Sequence, residues 1–289
     1  MTGYSDLKRV ALGHARAILR CRLNLVCLAT MERDTPNGPA IEFRDVTYDL
    51  PSGQRVLASL NLNVQRGEIL VLLGRSGSGK TTTLKLINRL LSPSGGEIFV
   101  EGKAAGAEDV VRLRRGIGYV IQEIGLFPHY TVERNIGLIP GIEGWPQEKI
   151  RTRALELLRM VGLDAQLASR YPHQLSGGQR QRVGVARALA ADPQILLMDE
   201  PFGALDPLTR DELQREFLSL QRRLHKTVVF VTHDLNEALR LGSRIALMEA
   251  GKLVTLLSPA EFLRSDDPLA AAYVRAFGSG LDAAAHRGA

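Results

Sequence analysis

Residues Gly74-Arg75-Ser76-Gly77-Ser78-Gly79-Lys80-Thr81 fit the pattern G-x-x-x-x-G-K-[ST]. Glycines at this spacing let successive backbone N–H groups turn toward one point and approach an anion closely. A helix starting near Lys80 adds the positive end of its dipole. The loop therefore reads as a phosphate cradle, with Thr82 beside it. Lys80 is expected to reach the β- and γ-phosphates of a nucleotide, and the Thr81 hydroxyl to bind Mg²⁺. A Gly-rich turn with no ligand is the plainer reading. The buried strand before the loop and the helix after it weigh against that.

A second group, Ile195-Leu196-Leu197-Met198-Asp199-Glu200, places two carboxylates at the end of a buried strand. Ligands of open α/β sheets sit beyond the carboxyl ends of strands. Asp199 is suited to hold Mg²⁺ through water, and Glu200 to polarise an attacking water as a general base. A strand ending in Asp-Glu is common, so the pair gains its meaning from the phosphate loop. The third group is Leu175-Ser176-Gly177-Gly178-Gln179. Its small residues expose backbone N–H groups at a helix start, which suits a γ-phosphate. Alone it would read as a plain N-cap with Ser176 as the cap. The run Gln179-Arg180-Gln181-Arg182 and then Arg187-Ala188-Leu189 argues for more. Two anion-binding loops in one chain imply a nucleotide gripped from both sides.

The elements that must carry these groups follow from hydrophobic period. Residues 35–39 form a Pro/Gly/Asn breaker, so the folded body should begin near Ala40. Residues 41–48 read as a strand. Leu60, Leu62 and Val64 alternate with polar neighbours, the period of a half-buried strand. Ile69–Leu73 is a continuous apolar run, as expected of a strand buried on both faces. Residues 117–121, 195–198 and 228–231 are similar short runs. Helical spacing predicts helices over 82–91, 150–161, 209–224 and 235–241. Residues 244–248 and 252–256, joined through Ala250-Gly251, look like a hairpin. Strands alternating with helices imply an α/β fold with parallel centre strands. The block of helices over about 123–190 reads as an inserted lobe, and residues 279–289 as a flexible tail.

The 289 residues allow one large domain or two small ones, and 45% hydrophobic content is ordinary for a soluble globular protein. No apolar run approaches the roughly 18 residues needed to span a bilayer. Of the net charge of +6, Lys8, Arg9, Arg16, Arg20 and Arg22 against Asp6 account for +4, leaving +2 for the rest. A nearly neutral body with no basic stripe argues against a nucleic-acid partner. Residues 1–39 read as an extension whose first thirty form a basic amphipathic segment. Arginines interrupt any secretory signal core. A membrane-surface helix and translation starting at Met31 both stay open. Cys21 and Cys27 form no metal or disulfide pattern and read as reduced cytosolic thiols.

On these ordered motifs the chain resembles the ATP-binding subunits of ABC transporters, from about residue 41 to residue 277. The resemblance implies a P-loop NTPase core with a mostly parallel sheet, an N-terminal antiparallel β subdomain and an inserted helical subdomain. It implies that Tyr48 stacks on adenine and that Gln122 links Mg²⁺ to a membrane partner. Ser176, Gly177, Gly178 and Gln179 would contact the nucleotide held by a second copy. Asp206 would sit in the loop communicating between the copies, and His233 would contact the γ-phosphate. Singly, Tyr48 would be a strand aromatic and His233 a surface histidine; their order and spacing reverse both readings. Arg75 stands where the family often has proline, with little consequence expected, since its carbonyl and N–H remain.

The implied reaction is hydrolysis of ATP to ADP and phosphate, catalysed mostly by positioning and electrostatic stabilisation. The implied partners are a second copy, integral permease subunits and, indirectly, an extracytoplasmic solute-binding protein. The place would be the cytoplasmic face of the inner membrane. Residues 121–132 resemble the matching stretch of osmoprotectant importers for glycine betaine, choline or carnitine, and Asn135, Ile136, Pro140, Gly144 and Trp145 continue the similarity. The competing solutes are polyamines, methionine and other small molecules. Many osmoprotectant ATPases carry tandem regulatory domains after the ATPase; with the chain ending at Ala289, regulation through such a domain is not expected. A non-transport ATPase of translation or DNA repair would be expected to bring two ATPase units or a coiled-coil insertion. A simple P-loop kinase would leave Ser176 to Gln179 unexplained.

Overall fold

The computed structural model describes residues 38–122 and 124–285, with side chains through residue 276. The N-terminal segment with its two cysteines and Met31 lies outside the described residues, as do residues 286–289. The described residues open with strands β1 (Ile41–Asp49), β2 (Arg55–Val64) and β3 (Ile69–Leu73), then helix α1 (Lys80–Ile87). Next come β4 (Gly95–Val100), β5 (Lys103–Ala104), α2 (Val110–Arg115) and β6 (Ile117–Val120). Helices α3 (Val132–Ile136), α4 (Leu138–Ile142), α5 (Gln147–Met160) and α6 (Gly177–Ala188) follow without a strand between them. The remainder is β7 (Ile195–Asp199), α7 (Pro207–Leu224), β8 (Thr227–Thr232), α8 (Leu235–Leu241), β9 (Arg244–Glu249), β10 (Lys252–Leu257), α9 (Pro259–Phe262) and α10 (Pro268–Ala285).

Two sheets result. The smaller, ordered β2-β1-β4-β5, is antiparallel; the larger is ordered β10-β9-β3-β8-β7-β6. In the larger sheet every neighbouring pair is parallel except β10 with β9. This is an α/β fold of the P-loop NTPase type. The continuous apolar runs are explained by what covers each face. Ile69, Val71 and Leu73 of β3 enter one core with Val228 and Phe230 of β8 and the helices α5 to α8. Leu70 and Leu72 enter a second core with Phe43 and Leu60 of the antiparallel sheet and Leu84 of α1. A strand between two cores has no face left for polar residues. In β2, by contrast, Leu60, Leu62 and Val64 are buried while Asn61 and Asn63 are exposed, so the alternation marks one covered face.

The helical block between β6 and β7 connects two strands that pair directly. Its buried Leu157 and Leu158 run on into the same apolar core as Val71 and Phe230. Element ends shift where backbone chemistry dictates. The helix after the glycine loop ends at Ile87 rather than 91, because Arg89 adopts a left-handed φ of 53°. Helix α7 begins two residues before 209, with Pro207 in the first turn, where a missing N–H does no harm. The hairpin β9–β10 turns through Ala250 (φ 47°) and Gly251 (φ 77°), the two left-handed residues of a tight hairpin turn. Strand β9 also pairs in parallel with β3, which the hairpin reading did not include. Strands β4 and β5 and helix α2 carry too little apolar period to have been foreseen. Helix α10 keeps helical backbone past Gly278, where the tail was drawn. Among the described residues no helix is long and apolar enough to cross a membrane.

Candidate active site

Strands β3, β8, β7 and β6 run parallel and side by side, so their carboxyl ends lie along one edge. The glycine loop follows β3, His233 follows β8, Asp199 ends β7 with Glu200 after it, and Gln122 follows β6. Sequence positions as far apart as Gly74 and His233 are thereby gathered at the place where such sheets bind ligands. A cleft of about 590 Å³ opens there, lined by Val56, Arg75, Ser76, Gly77, Gly79, Lys80, Thr81, Thr82, Gln122, Glu200 and His233.

The glycine loop is shaped by close approaches. Gly79 has φ of 99°, and a Cβ on it would come 2.5 Å from Leu57 Cδ2. A Cβ on Gly74 would meet the Met248 carbonyl oxygen of β9 at 2.3 Å. Only glycine fits at either place. Helix α1 starts at Lys80 with no side-chain cap and no acidic residue in its first turn. Its positive end thus faces the loop with no acidic side chain of its own first turn to cap it. Lys80 is buried, and its Nζ donates to Gly74 O and Arg75 O at 2.8 Å each and to Ser78 Oγ at 3.3 Å. The Arg75 carbonyl does its work whatever its side chain. Burial lowers the Lys80 pKa, opposed by the charges of Glu200 and Asp199.

The carboxylates differ in setting. Asp199 is buried and accepts from Thr81 Oγ1 at 3.0 Å. Burial raises its pKa, partly offset by that hydrogen bond. Tyr119 of β6, not singled out from the sequence, packs against Asp199; burial first, then the charge and hydrogen bond of Asp199, push its phenol pKa up. Glu200 is partly exposed in the cleft and has φ of 43°. Its left-handed backbone is held by its N–H on Val231 O at 3.1 Å and by Gly203 N–H on its own carbonyl at 3.2 Å. Such a conformation at a non-glycine residue is costly and concentrates at functional sites. Glu200 receives His233 Nδ1 at 3.3 Å and Gln122 Nε2 at 3.4 Å.

Thr81 Oγ1, Asp199 and the amide oxygen of Gln122 form an all-oxygen donor set of the kind Mg²⁺ takes alongside phosphate oxygens, so these residues fit the ion. The remaining expected residues lie outside the cleft. Tyr48 pairs across to Leu57, the neighbour of the lining residue Val56. Val56 carries no sequence signal that would have found it. Ser176 caps α6 with a capping box: its hydroxyl accepts from Gln179 N–H at 3.2 Å and its N–H donates to Gln179 Oε1 at 2.9 Å. The plain N-cap is therefore real. Gly177 and Gly178 follow it, and a Cβ on Gly178 would meet Thr209 Cγ2 at 2.7 Å. Asp206 caps α7 through Thr209 N–H at 3.0 Å; the Thr209 side chain first, then this backbone bond, hold its carboxylate pKa below the usual value. The two capped helix starts are thus neighbours, and neither lines the cleft. Arg187, late in α6, donates to Ile124 O and Gly125 O at 2.6 Å each and so grips the chain just after Gln122.

Comparison with known proteins follows the same lines. The family described as ABC transporter matches residues 57–203. The glycine betaine/carnitine/choline transport ATP-binding protein OpuCA of Bacillus subtilis (strain 168) is 52% identical over 225 residues, 78% of this chain and 59% of that protein. The glycine betaine uptake system ATP-binding protein YehX of Escherichia coli (strain K12) is 53% identical over 77% of this chain and 72% of that protein. A dimeric post-hydrolysis structure of the ATP-binding cassette MJ0796, bound to ADP and Pi, superposes with a TM-score of 0.69 at 36% identity, covering 76% of this chain and 98% of that one. The chain spans about three-fifths of the length of the first curated relatives it matches.

The buried Asp199 carboxylate opposes folding while ionised. Its folded pKa lies above the ordinary 3.8, so above that raised value the folded state carries the full penalty. The penalty shrinks as pH falls through the raised value and vanishes below the ordinary one, where folded and unfolded states are both protonated. Asp199→Asn keeps an acceptor for Thr81 and removes the charge. Thermal melts without nucleotide should show a higher Tm than wild type at pH 8, with the gap closing in acid. A lower Tm at pH 8 would show that ionised Asp199 stabilises the fold.

Proposed function

Because the chain belongs to the ABC transporter family, we propose that it is the ATP-hydrolysing subunit that powers import of a small solute through a separate membrane permease. The observation that carries this reading is the convergence of Lys80, Thr81, Gln122, Glu200 and His233 on one cleft at the strand ends. The glycine loop and the start of α1 bind the β- and γ-phosphates through backbone N–H groups, with Lys80 exchanging its loop carbonyls for phosphate oxygens. Tyr48 stacks on the adenine. Thr81, Gln122 and Asp199 would hold Mg²⁺, which would supply neutralisation of the phosphate charge. Glu200 takes the proton of the attacking water, and His233 and Gln122, both already at its carboxylate, orient it and the γ-phosphate.

Ser176, Gly177, Gly178 and Gln179 lie outside the cleft of their own chain, which supports their use on the nucleotide of a second copy in a head-to-tail pair. ATP then closes the pair, and hydrolysis removes the contact that holds it. That differential affinity drives the permease between two states. Regarding the solute, the names of OpuCA and YehX support quaternary-ammonium osmoprotectants such as glycine betaine, choline or carnitine. An extracytoplasmic solute-binding protein would deliver the solute, and the chain would sit at the cytoplasmic face of the inner membrane.

Glu200→Gln removes the base and keeps the shape. The purified variant should bind ATP and form stable dimers by light scattering, with hydrolysis lowered at least about a hundredfold, the lower end of general-base contributions. Near-normal turnover would remove Glu200 from that role. In source cells at high osmolarity, the same chromosomal substitution should abolish uptake of labelled glycine betaine. Undiminished uptake would contradict the assigned solute class.

A further inference from the structure

Arg210, in the first turn of α7, touches two loops beside the active site. Its NH2 group donates to Gly203 O at 3.3 Å and Leu205 O at 3.1 Å, in the loop that leads into Asp206. Its NH1 group lies 3.8 Å from Asp234 Oδ2, next in sequence to His233. Its Nε is buried with no acceptor. Asp234 is itself held in place: it caps α8 by accepting from Asn236 N–H at 2.7 Å, and its own N–H donates to Thr232 Oγ1 at 3.0 Å. Thr232 in turn donates to the buried Glu237 carboxylate at 2.6 Å, whose other oxygen accepts from Gln214 Nε2 at 3.0 Å. Gln214 stands one turn after Arg210 on α7. Both neighbours of His233 are therefore fixed by side chains, while His233 is itself 63% exposed and meets Glu200.

A role in bulk stability does not account for Arg210. The ion pair is long, and its partners are 31% and 30% exposed, a setting in which such pairs contribute little. We propose that Arg210 is a positioning residue that ties the His233 loop to the loop preceding Asp206, so that displacement of the latter by a second copy sets the placement of His233 against Glu200. This rests on the reading of the chain as an ATPase that works in pairs. The guanidinium suits the task because its fixed fork can hold two carbonyls and a carboxylate at once, where one ammonium cannot.

The test compares Arg210→Gln, Arg210→Lys, Asp234→Asn and the double variant Arg210→Gln/Asp234→Asn in the full chain. In the nucleotide-free protein, hydrogen–deuterium exchange should rise together in residues 203–206 and 232–236 of Arg210→Gln, with Tm close to wild type. Steady-state assays should show kcat down about tenfold and KM for ATP within about twofold, since placement and not ATP binding is lost. Arg210→Lys should fall between. The double variant should be no worse than Arg210→Gln, because both changes cut one link. Faster exchange in 203–206 alone, additive losses in the double variant, or an unchanged kcat would each overturn the proposal. A wild type that does not hydrolyse ATP would sink the functional reading instead, and the exchange data would still decide whether the loops are tied.

Discussion

The parallel pairing of β3, β8, β7 and β6 is the constraint on which the site depends. Parallel strands place all their carboxyl ends on one edge, and each strand here lies between two apolar cores. The loops that leave that edge therefore start from the least deformable part of the molecule. Glycine loop, Gln122, Glu200 and His233 inherit their mutual placement from strand register, and Gln122 and His233 then meet at the Glu200 carboxylate. The local distortions lie one residue beyond that frame, as in the left-handed Glu200 whose N–H is still anchored on Val231.

Desolvation is the second organising term. Lys80, which lines the cleft, and Asp199, bonded to its neighbour Thr81, are buried charges of opposite sign, each disfavoured by burial and each partly relieved by the other's field. Loop carbonyls satisfy the ammonium, and Thr81 satisfies the carboxylate. Partners of this kind offset part of the cost of burying each group. A low-dielectric site with fixed charges stabilises a highly charged ligand more strongly than water-exposed groups would. Glu237 repeats the arrangement further back: burial raises its pKa while Thr232 and Gln214 hold it, and its neighbour in space is the histidine loop.

Much of this was legible in the residues. The strands were found because apolar runs such as Ile69–Leu73 are what burial on both faces requires, and the glycine loop because its spacing between strand and helix fits a phosphate cradle. Strands β4 and β5 and helix α2 were missed because Gly95, Gly96 and the run of arginines in α2 carry no period. Val56 and Tyr119 were missed for another reason: each belongs to the site through a strand pairing, and register is a tertiary property that neither residue's type announces. Arg210 was invisible for the same cause, since a surface-helix arginine has the same local signature whether it faces solvent or two loops. Ser176 shows the converse, where two readings of a motif were both physically sound: the structure contains the N-cap, and the cap itself presents the glycines that follow.

The central claim is that the hydrolytic site needs the glycine loop of one copy and the Ser176 loop of another. Lys80→Ala disables the first and Ser176→Arg the second, so each purified variant alone should be inactive. Mixing them yields pairs in which one site takes both intact halves. Measured ATP hydrolysis should reappear on mixing and grow with the fraction of mixed pairs. Silence in the mixture, with mixed pairs demonstrated to form, or full activity of Ser176→Arg alone, would contradict a shared site.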